Sequence, residues 1–447
     1  MLVSPSAGQQ FKQTVMAAHN LHPRALQLSL DPARPQALLP ALRKLRPRYA
    51  MLVMTPREID VDFAWRWLQV SIALDDDPLV DVRCGFATGV DDVAASALLD
   101  RTRAASRGEL TLPAILLDHL GPNPQVARDS FQESRSNFMI PVFSKNFRQR
   151  CVSYGVGRCS HLESLNGAGL IHLGGHGTPD RIVDGLTARQ LKGAKLSPCV
   201  VFSGACHTGV TAGWYDQTRR RQVSPVDSFC LQLLQKPVLG YLAALHSDHG
   251  MPVYQELEFL AMSGNSLGEV IKHTQDGVIL GFGGKLPDFP RLDQKTDWGP
   301  SQAMLYGTAS RILFGDPALV PMKPIAAPPF EISRKSGLQF TARVKNFGLS
   351  STFTDTYHSD LTRAPAPFND RALLKIELPP KTASIEPEIL GCRGWFTQVP
   401  YRLVGYALER EGSRRYAHLQ IDVPATGMFQ SPLRNPGWEL ELKIKVR

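Results

Sequence analysis

Short apolar runs alternate with amphipathic stretches over roughly the first 125 residues, and the two spacings predict different elements. Apolar runs at 1–3, 25–30, 49–54 and 80–85 read as strands. The stretches at 9–20, 36–45 and 63–73 repeat their apolar positions with the helical period. Such alternation predicts a parallel sheet covered by helices. The passage Leu120-Gly121-Pro122-Asn123-Pro124 then reads as a joint, because proline and glycine interrupt both periods.

Beyond that joint, two segments thirty residues apart share one design. Leu170-Ile171-His172-Leu173 runs into Gly174-Gly175-His176-Gly177, and Cys199-Val200-Val201-Phe202 runs into Ser203-Gly204-Ala205-Cys206. Each is a buried strand that breaks into small residues and delivers one reactive side chain. About thirty residues accommodate a strand, a crossover helix and a parallel neighbour, and the stretch 186–193 supplies the helix. His176 and Cys206 are then expected at one carboxyl edge of the sheet, where open α/β folds bind ligands. A further strand is expected over 237–245, followed by the polar His246-Ser247-Asp248-His249-Gly250. A helix over 267–276 is signalled by the capping box of Ser266 and Glu269.

From 330 the pattern changes to period two, as in Leu338-Gln339-Phe340-Thr341-Ala342-Arg343-Val344 and Trp438-Glu439-Leu440-Glu441-Leu442-Lys443-Ile444. That period buries one face of each strand and wets the other, which suits a β-sandwich. The expected organisation is an α/β unit over 1–124, a second over 125–321, a linker over 322–329 and a β-sandwich over 330–447.

His-Gly after one strand and small-residue-Cys after the next resembles the caspase, legumain, separase and gingipain clan of cysteine peptidases. Leu313-Phe314-Gly315-Asp316-Pro317-Ala318-Leu319 is similar to the closing motif of the gingipain-type branch. The order of elements extends the likeness over about residues 1–321, with motif-grade matches at His176-Gly177, Ala205-Cys206 and Gly315-Asp316-Pro317. The resemblance implies a caspase-like parallel sheet in two α/β subdomains followed by an immunoglobulin-like β-sandwich. It also implies Cys206 as nucleophile, His176 as its acid and base, and the backbone N–H groups of Gly177 and Cys206 as the oxyanion hole. Gly204, Ser247 and Asp248 are the pocket candidates; Asp248 would favour Arg or Lys by charge pairing, or is simply an exposed loop carboxylate. Arg219, Arg220 and Arg221 lie where caspases carry an activation linker and are the candidate processing loop.

The chemistry asks for these residue types. A thiol near pKa 8.5 attacks a carbonyl better as a thiolate, which a neighbouring imidazole promotes. The imidazole then protonates the leaving amine, and fixed donors hold the oxyanion. The substrate expected is a polypeptide, with no cofactor; a structural calcium ion stays open. One alternative is a zinc hydrolase, since His172 and His176 are four residues apart and His246 and His249 three apart. Gly174 and Gly175 argue against a helix that would align the first pair. The other alternative is a catalytically silent or latent caspase-like scaffold.

Composition narrows the setting. Net charge is 50 minus 41, or +9, with basic residues dispersed except at 219–221, so a solvated basic surface is expected rather than nucleic-acid binding. Seven irregularly spaced cysteines do not form a secreted disulfide framework. Cys199 and Cys230 are expected in the core. No run of eighteen apolar residues predicts a membrane span, and the first residues lack the basic and apolar regions of a signal peptide. On the sequence as given the expected compartment is cytoplasmic, with export open if residues precede Met1.

Overall fold

The structure, a computed structural model, describes residues 1–120, 148–153, 165–182, 186–215, 221–247, 256–257, 259–260, 264–286, 307–324, 330–344, 370–394, 402–423 and 438–447. Its first half is β1 Leu2–Val3, α1 Pro5–Gln10, α2 Lys12–Leu21, β2 Leu28–Ser29, α3 Leu39–Leu45, β3 Tyr49–Val53, α4 Val61–Ser71, β4 Arg83–Ala87, α5 Asp92–Ser106 and β5 Ile115–Leu120. The helix expected over 9–20 is therefore two helices. The chain leaves helical geometry at Phe11, with φ −116° and ψ 49°. The strand expected over 25–30 narrows to two residues, and that expected over 80–85 forms two or three residues later.

The second half adds β6 Arg148–Ser153, β7 Leu170–Leu173, β8 Gly177–Thr178, β9 Arg181–Ile182, α6 Ala188–Gly193, β10 Cys199–Ser203, β11 Gly213–Trp214, β12 Gln222–Val223, α7 Phe229–Leu234, β13 Val238–Ala244, α8 Leu267–Gly281 and β14 Arg311–Gly315. Ten strands make one sheet in the order β2-β1-β3-β4-β14-β13-β10-β7-β5-β6. Its pairs are parallel except β13 with β14. The expected joint leaves no gap in this sheet. β5 precedes the joint yet pairs with β6 and β7, while β14 meets β4 at the single register pair Phe314↔Phe86.

The central strands are buried over their full lengths, which explains their unbroken apolar runs. Alternate residues enter different cores: Ile171, Leu173 and Val201 join one, Leu170, Val200 and Phe202 the other. Helices seal both faces. α8 lies so close that a side-chain carbon added at Gly240 would sit 2.4 Å from Leu267 Cδ1. Ser266 caps α8 as expected, its Oγ accepting from Glu269 N–H at 3.3 Å. The carboxylate of Glu269 goes elsewhere than the capping box requires: it pairs with Arg83 at 2.8 Å and Arg48 at 2.9 Å.

The C-terminal region holds β15 Phe330–Ser336, β16 Gln339–Val344, β17 Asp370–Leu378, β18 Ile385–Gly394, β19 Arg402–Glu411, β20 Arg414–Val423 and β21 Trp438–Val446. They form antiparallel sheets β15-β16-β21-β18 and β17-β20-β19 around a shared core. Core residues Leu374, Ile376 and Leu378 alternate with exposed neighbours, as do Leu440, Leu442 and Ile444 with more accessible ones, which is the period-two pattern of the sequence. The β-sandwich architecture is as expected. In the described strands, however, the fifth and seventh are exchanged relative to the constant-type immunoglobulin order.

This β-sandwich is fastened to α8 by buried charge. Lys272 bonds Asp276 on its own helix and reaches Glu409 of β19 at 3.1 Å; His418 Nε2 lies 2.6 Å from the same carboxylate. Burial opposes ionisation of Glu409, but the His418 hydrogen bond and the Lys272 charge hold its carboxyl well below the usual range. Gln420 Nε2 adds a bond to Gly277 O at 3.0 Å. Among the described residues no helix is long and apolar enough to cross a membrane. Lys272→Met would leave Asp276 buried without its cation and strip Glu409 of one of its two lysines, Lys375 remaining at 2.7 Å, so a loss of about 3–5 kcal/mol is expected in urea unfolding. A change below about 1 kcal/mol would show that the charges are solvated instead.

Candidate active site

β7 and β10 run side by side in register, with Leu170↔Val200, Ile171↔Val201, Phe202↔His172 and Ser203↔Leu173. His176 lies three residues beyond Leu173 and Cys206 three beyond Ser203, so both chains leave the sheet at the same edge. The ladder continues one step further, with Gly204 N–H donating to Leu173 O at 2.8 Å.

The turn after β10 is held by its own hydroxyls. Thr208 Oγ1 donates to Ala205 O at 2.9 Å and lies 2.8 Å from Ser203 Oγ. Its single proton is thus committed, so Ser203 is the donor between the two hydroxyls; Ser203 Oγ also accepts from Ala205 N–H at 3.2 Å. Tyr241 of β13 donates to Thr208 O at 3.1 Å, and Gly209 N–H to Ala244 O at 2.9 Å. Within this frame Cys206 is half-buried and His207 takes a left-handed backbone, φ 57°, with its N–H bonded to His246 O at 3.1 Å. That conformation is uncommon outside glycine and is held by the bonds on both sides of it.

The turn after β7 is made by Gly174 and Gly175, the latter at φ 105°, and leaves His176 exposed. Gly177 then opens the β8–β9 hairpin directly against the turn that carries Cys206. A Cβ placed on it would lie 2.3 Å from Cys206 O and 2.9 Å from both Ala205 Cβ and Thr208 Cγ2. Only glycine allows the two turns this approach.

Among the described cysteines, Cys84, Cys199 and Cys230 are buried. Burial pushes the thiols of Cys84 and Cys199 up to about 12 and raises that of Cys230 as well. Of the four cysteines whose side chains are described, Cys206 is the accessible one. His172, by contrast with His176, is buried in the sheet. Among the described residues no group of three or more His, Cys, Asp or Glu could hold a metal ion.

Of the pocket candidates, Gly204 is buried at the end of β10 and Ser247 is half-buried, its Oγ 3.4 Å from His207 Nε2. Asp248 and His249 lie outside the described residues, as do Arg219 and Arg220. Arg221 is exposed at the mouth of the β11–β12 hairpin. Sequence reasoning missed the aromatic group beside Cys206: the His207 ring is 5.4 Å from His246 and 5.8 Å from Tyr215. His246 was noticeable only through its spacing to His249, and nothing local marked Tyr215. Burial, and then the neighbouring His207, push His246 down to about 4.

No family model matches the chain, and no curated protein does. Among solved structures it is similar to one described as a protease, with a TM-score of 0.51 at 12% identity over 77% of this chain and 84% of that one. Also similar are the Arg specific cysteine proteinase gingipain R (RgpB), of Porphyromonas gingivalis, at TM-score 0.47, 12% identity, and 76% and 84% coverage. Saccharomyces cerevisiae separase in its securin complex gives TM-score 0.37 at 14% identity, over 60% of this chain and 15% of that one. The first likeness is one of fold, and the α/β sheet with flanking helices and C-terminal antiparallel sheets is present as expected.

The buried His246 makes a signed prediction. Its folded value of about 4 lies below the ordinary 6.5, so the unfolded chain takes up the proton first. Its contribution is complete above pH 6.5 and is lost as pH falls toward 4. Between pH 7.5 and 4 the parent should lose about 2–3 kcal/mol more unfolding free energy than His246→Asn. Parallel stability profiles in urea would contradict this.

Proposed function

We propose that the chain is a cysteine-type peptidase in which His176 and Cys206 act together on a peptide bond. The observation that carries the reading is the shared register of β7 and β10, with Gly177 packed on the main chain of Cys206. Two reactive side chains at equal distance beyond paired strand ends are what a two-residue mechanism requires. The accessibility of Cys206, set against three buried cysteines, supports the same assignment, and the fold shared with a solved protease agrees with it.

In this mechanism His176 takes the Cys206 proton, and the thiolate sulfur attacks the scissile carbonyl carbon. The carbonyl π electrons move to oxygen, where the N–H groups of Gly177 and Cys206 receive the charge. The C–N bond then breaks, its electron pair leaving with the amine, which takes the proton from His176. Water, deprotonated by His176, attacks the thioester and releases the acid and the free thiol. The substrate is a polypeptide.

The test is cleavage of a diverse peptide library followed by mass spectrometry of new ends, for the parent, Cys206→Ala and His176→Ala. New ends from the parent alone are expected, with both variants reduced by about 10³-fold or more. Equal cleavage by Cys206→Ala, or none by a folded parent under reducing conditions, would overturn the reading.

A further inference from the structure

A charge pair lies directly beneath the nucleophile turn and takes no part in the mechanism above. Arg311 opens β14, and its side chain is 0% exposed; Glu256, also 0% exposed, faces it. The two make a forked pair, Nη2–Oε2 at 2.6 Å and Nε–Oε1 at 2.8 Å. The remaining arm of the guanidinium donates to Ser203 O at 2.7 Å. Ser203 is the last residue of β10, the point at which the chain departs for Cys206.

The neighbouring residue holds the adjacent turn. Ser310 O accepts from Leu245 N–H at 3.2 Å, and Ser310 Oγ accepts from His246 N–H at 3.2 Å. Two consecutive residues thus grip the chain entering the Cys206 turn and the chain leaving β13. The helix α8 backs the pair: Thr274 Oγ1 bonds Glu256 Oε1 at 3.2 Å, and Gln275 Nε2 reaches Arg311 O at 3.4 Å.

Stability is a weak reason for such a pair, because its desolvation offsets most of its attraction and apolar replacements of both partners are often neutral. Direction is a stronger one. A planar guanidinium with one edge fixed by a carboxylate points its other arm along one line. That line sets the tilt of the Ser203 peptide, whose own side chain holds Ala205 N–H. We propose that Arg311, oriented by Glu256, is a positioning residue that fixes the Ser203–Cys206 turn and thereby aims the Cys206 sulfur and N–H. The inference rests on the peptidase reading for its effect on rate, and on geometry alone for its effect on the turn.

The test compares the parent, Arg311→Lys and the double variant Arg311→Met/Glu256→Met; the single Arg311→Met would bury an unpaired carboxylate and unfold for that reason alone. The double variant should melt within about 5 °C of the parent. Its kcat should fall about 100-fold with KM within about threefold, as for a misplaced reacting group. Arg311→Lys, which keeps the charge but loses the fork, should recover part of kcat. Amide hydrogen exchange at Ala205 and Cys206 should accelerate at least tenfold in the double variant, while exchange in β3 and β4 stays unchanged. Unchanged exchange at those two amides in a folded double variant overturns the inference, whatever the activity. A parent that cleaves nothing, together with accelerated exchange, rejects the peptidase reading and keeps the positioning role. Unchanged kcat in the folded double variant rejects the positioning role and keeps the peptidase.

Discussion

The parallel pairing of β7 with β10 is the constraint from which the candidate site follows. Parallel strands end at the same edge, so a fixed register converts two distant sequence positions into neighbours. A slip of one residue would exchange the two cores, moving Val201 onto the face of Val200 and Phe202. Both cores are buried and take side chains of different size, so the slip would cost packing fit rather than burial. The register is thereby set by packing, while the turns beyond it are set by small residues and hydroxyls. Gly177 shows how close the result is: a single added carbon would collide with the carbonyl of Cys206.

Helix α8 links regions that the sequence presents as separate. One of its faces packs Leu267, Val270 and Ile271 on the sheet. Lys272, bonded to Asp276 on the same helix, meets Glu409 from the β-sandwich, and Thr274 and Gln275 meet Glu256 and Arg311. The helix therefore carries buried polar side chains among its apolar ones, each matched to a specific partner. Its amphipathic pattern alone would not place it between two cores and a second domain.

The strands that matter most were readable because burial on both faces leaves an unbroken apolar run, as in Cys199-Val200-Val201-Phe202. The carboxyl-edge placement of His176 and Cys206 followed from spacing and from the rule that parallel crossovers need about thirty residues. Shorter elements were less legible. Leu28–Ser29 pairs over two residues, too few for a period to show, and the break at Phe11 has no proline or glycine to announce it. The Ser266–Glu269 box misled because local chemistry competed with two arginines 221 and 186 residues away. Nonlocal contacts of shorter span also hid the pairing of Arg311 with Glu256, 55 residues apart, and that of the His207 and His246 rings. Each comes from a different segment, and no local pattern brings them together.

The proposed dyad requires that His176 control the reactivity of Cys206. Its most direct measurement is the rate of iodoacetamide alkylation at each cysteine against pH, followed by mass spectrometry, in the parent and in His176→Ala. Cys206 should react at least about 100-fold faster than Cys84, Cys199 and Cys230 at pH 7, with a midpoint below the free-thiol value near 8.5. In His176→Ala that midpoint should rise and the rate at neutral pH should fall. A Cys206 profile identical in the two proteins would contradict it.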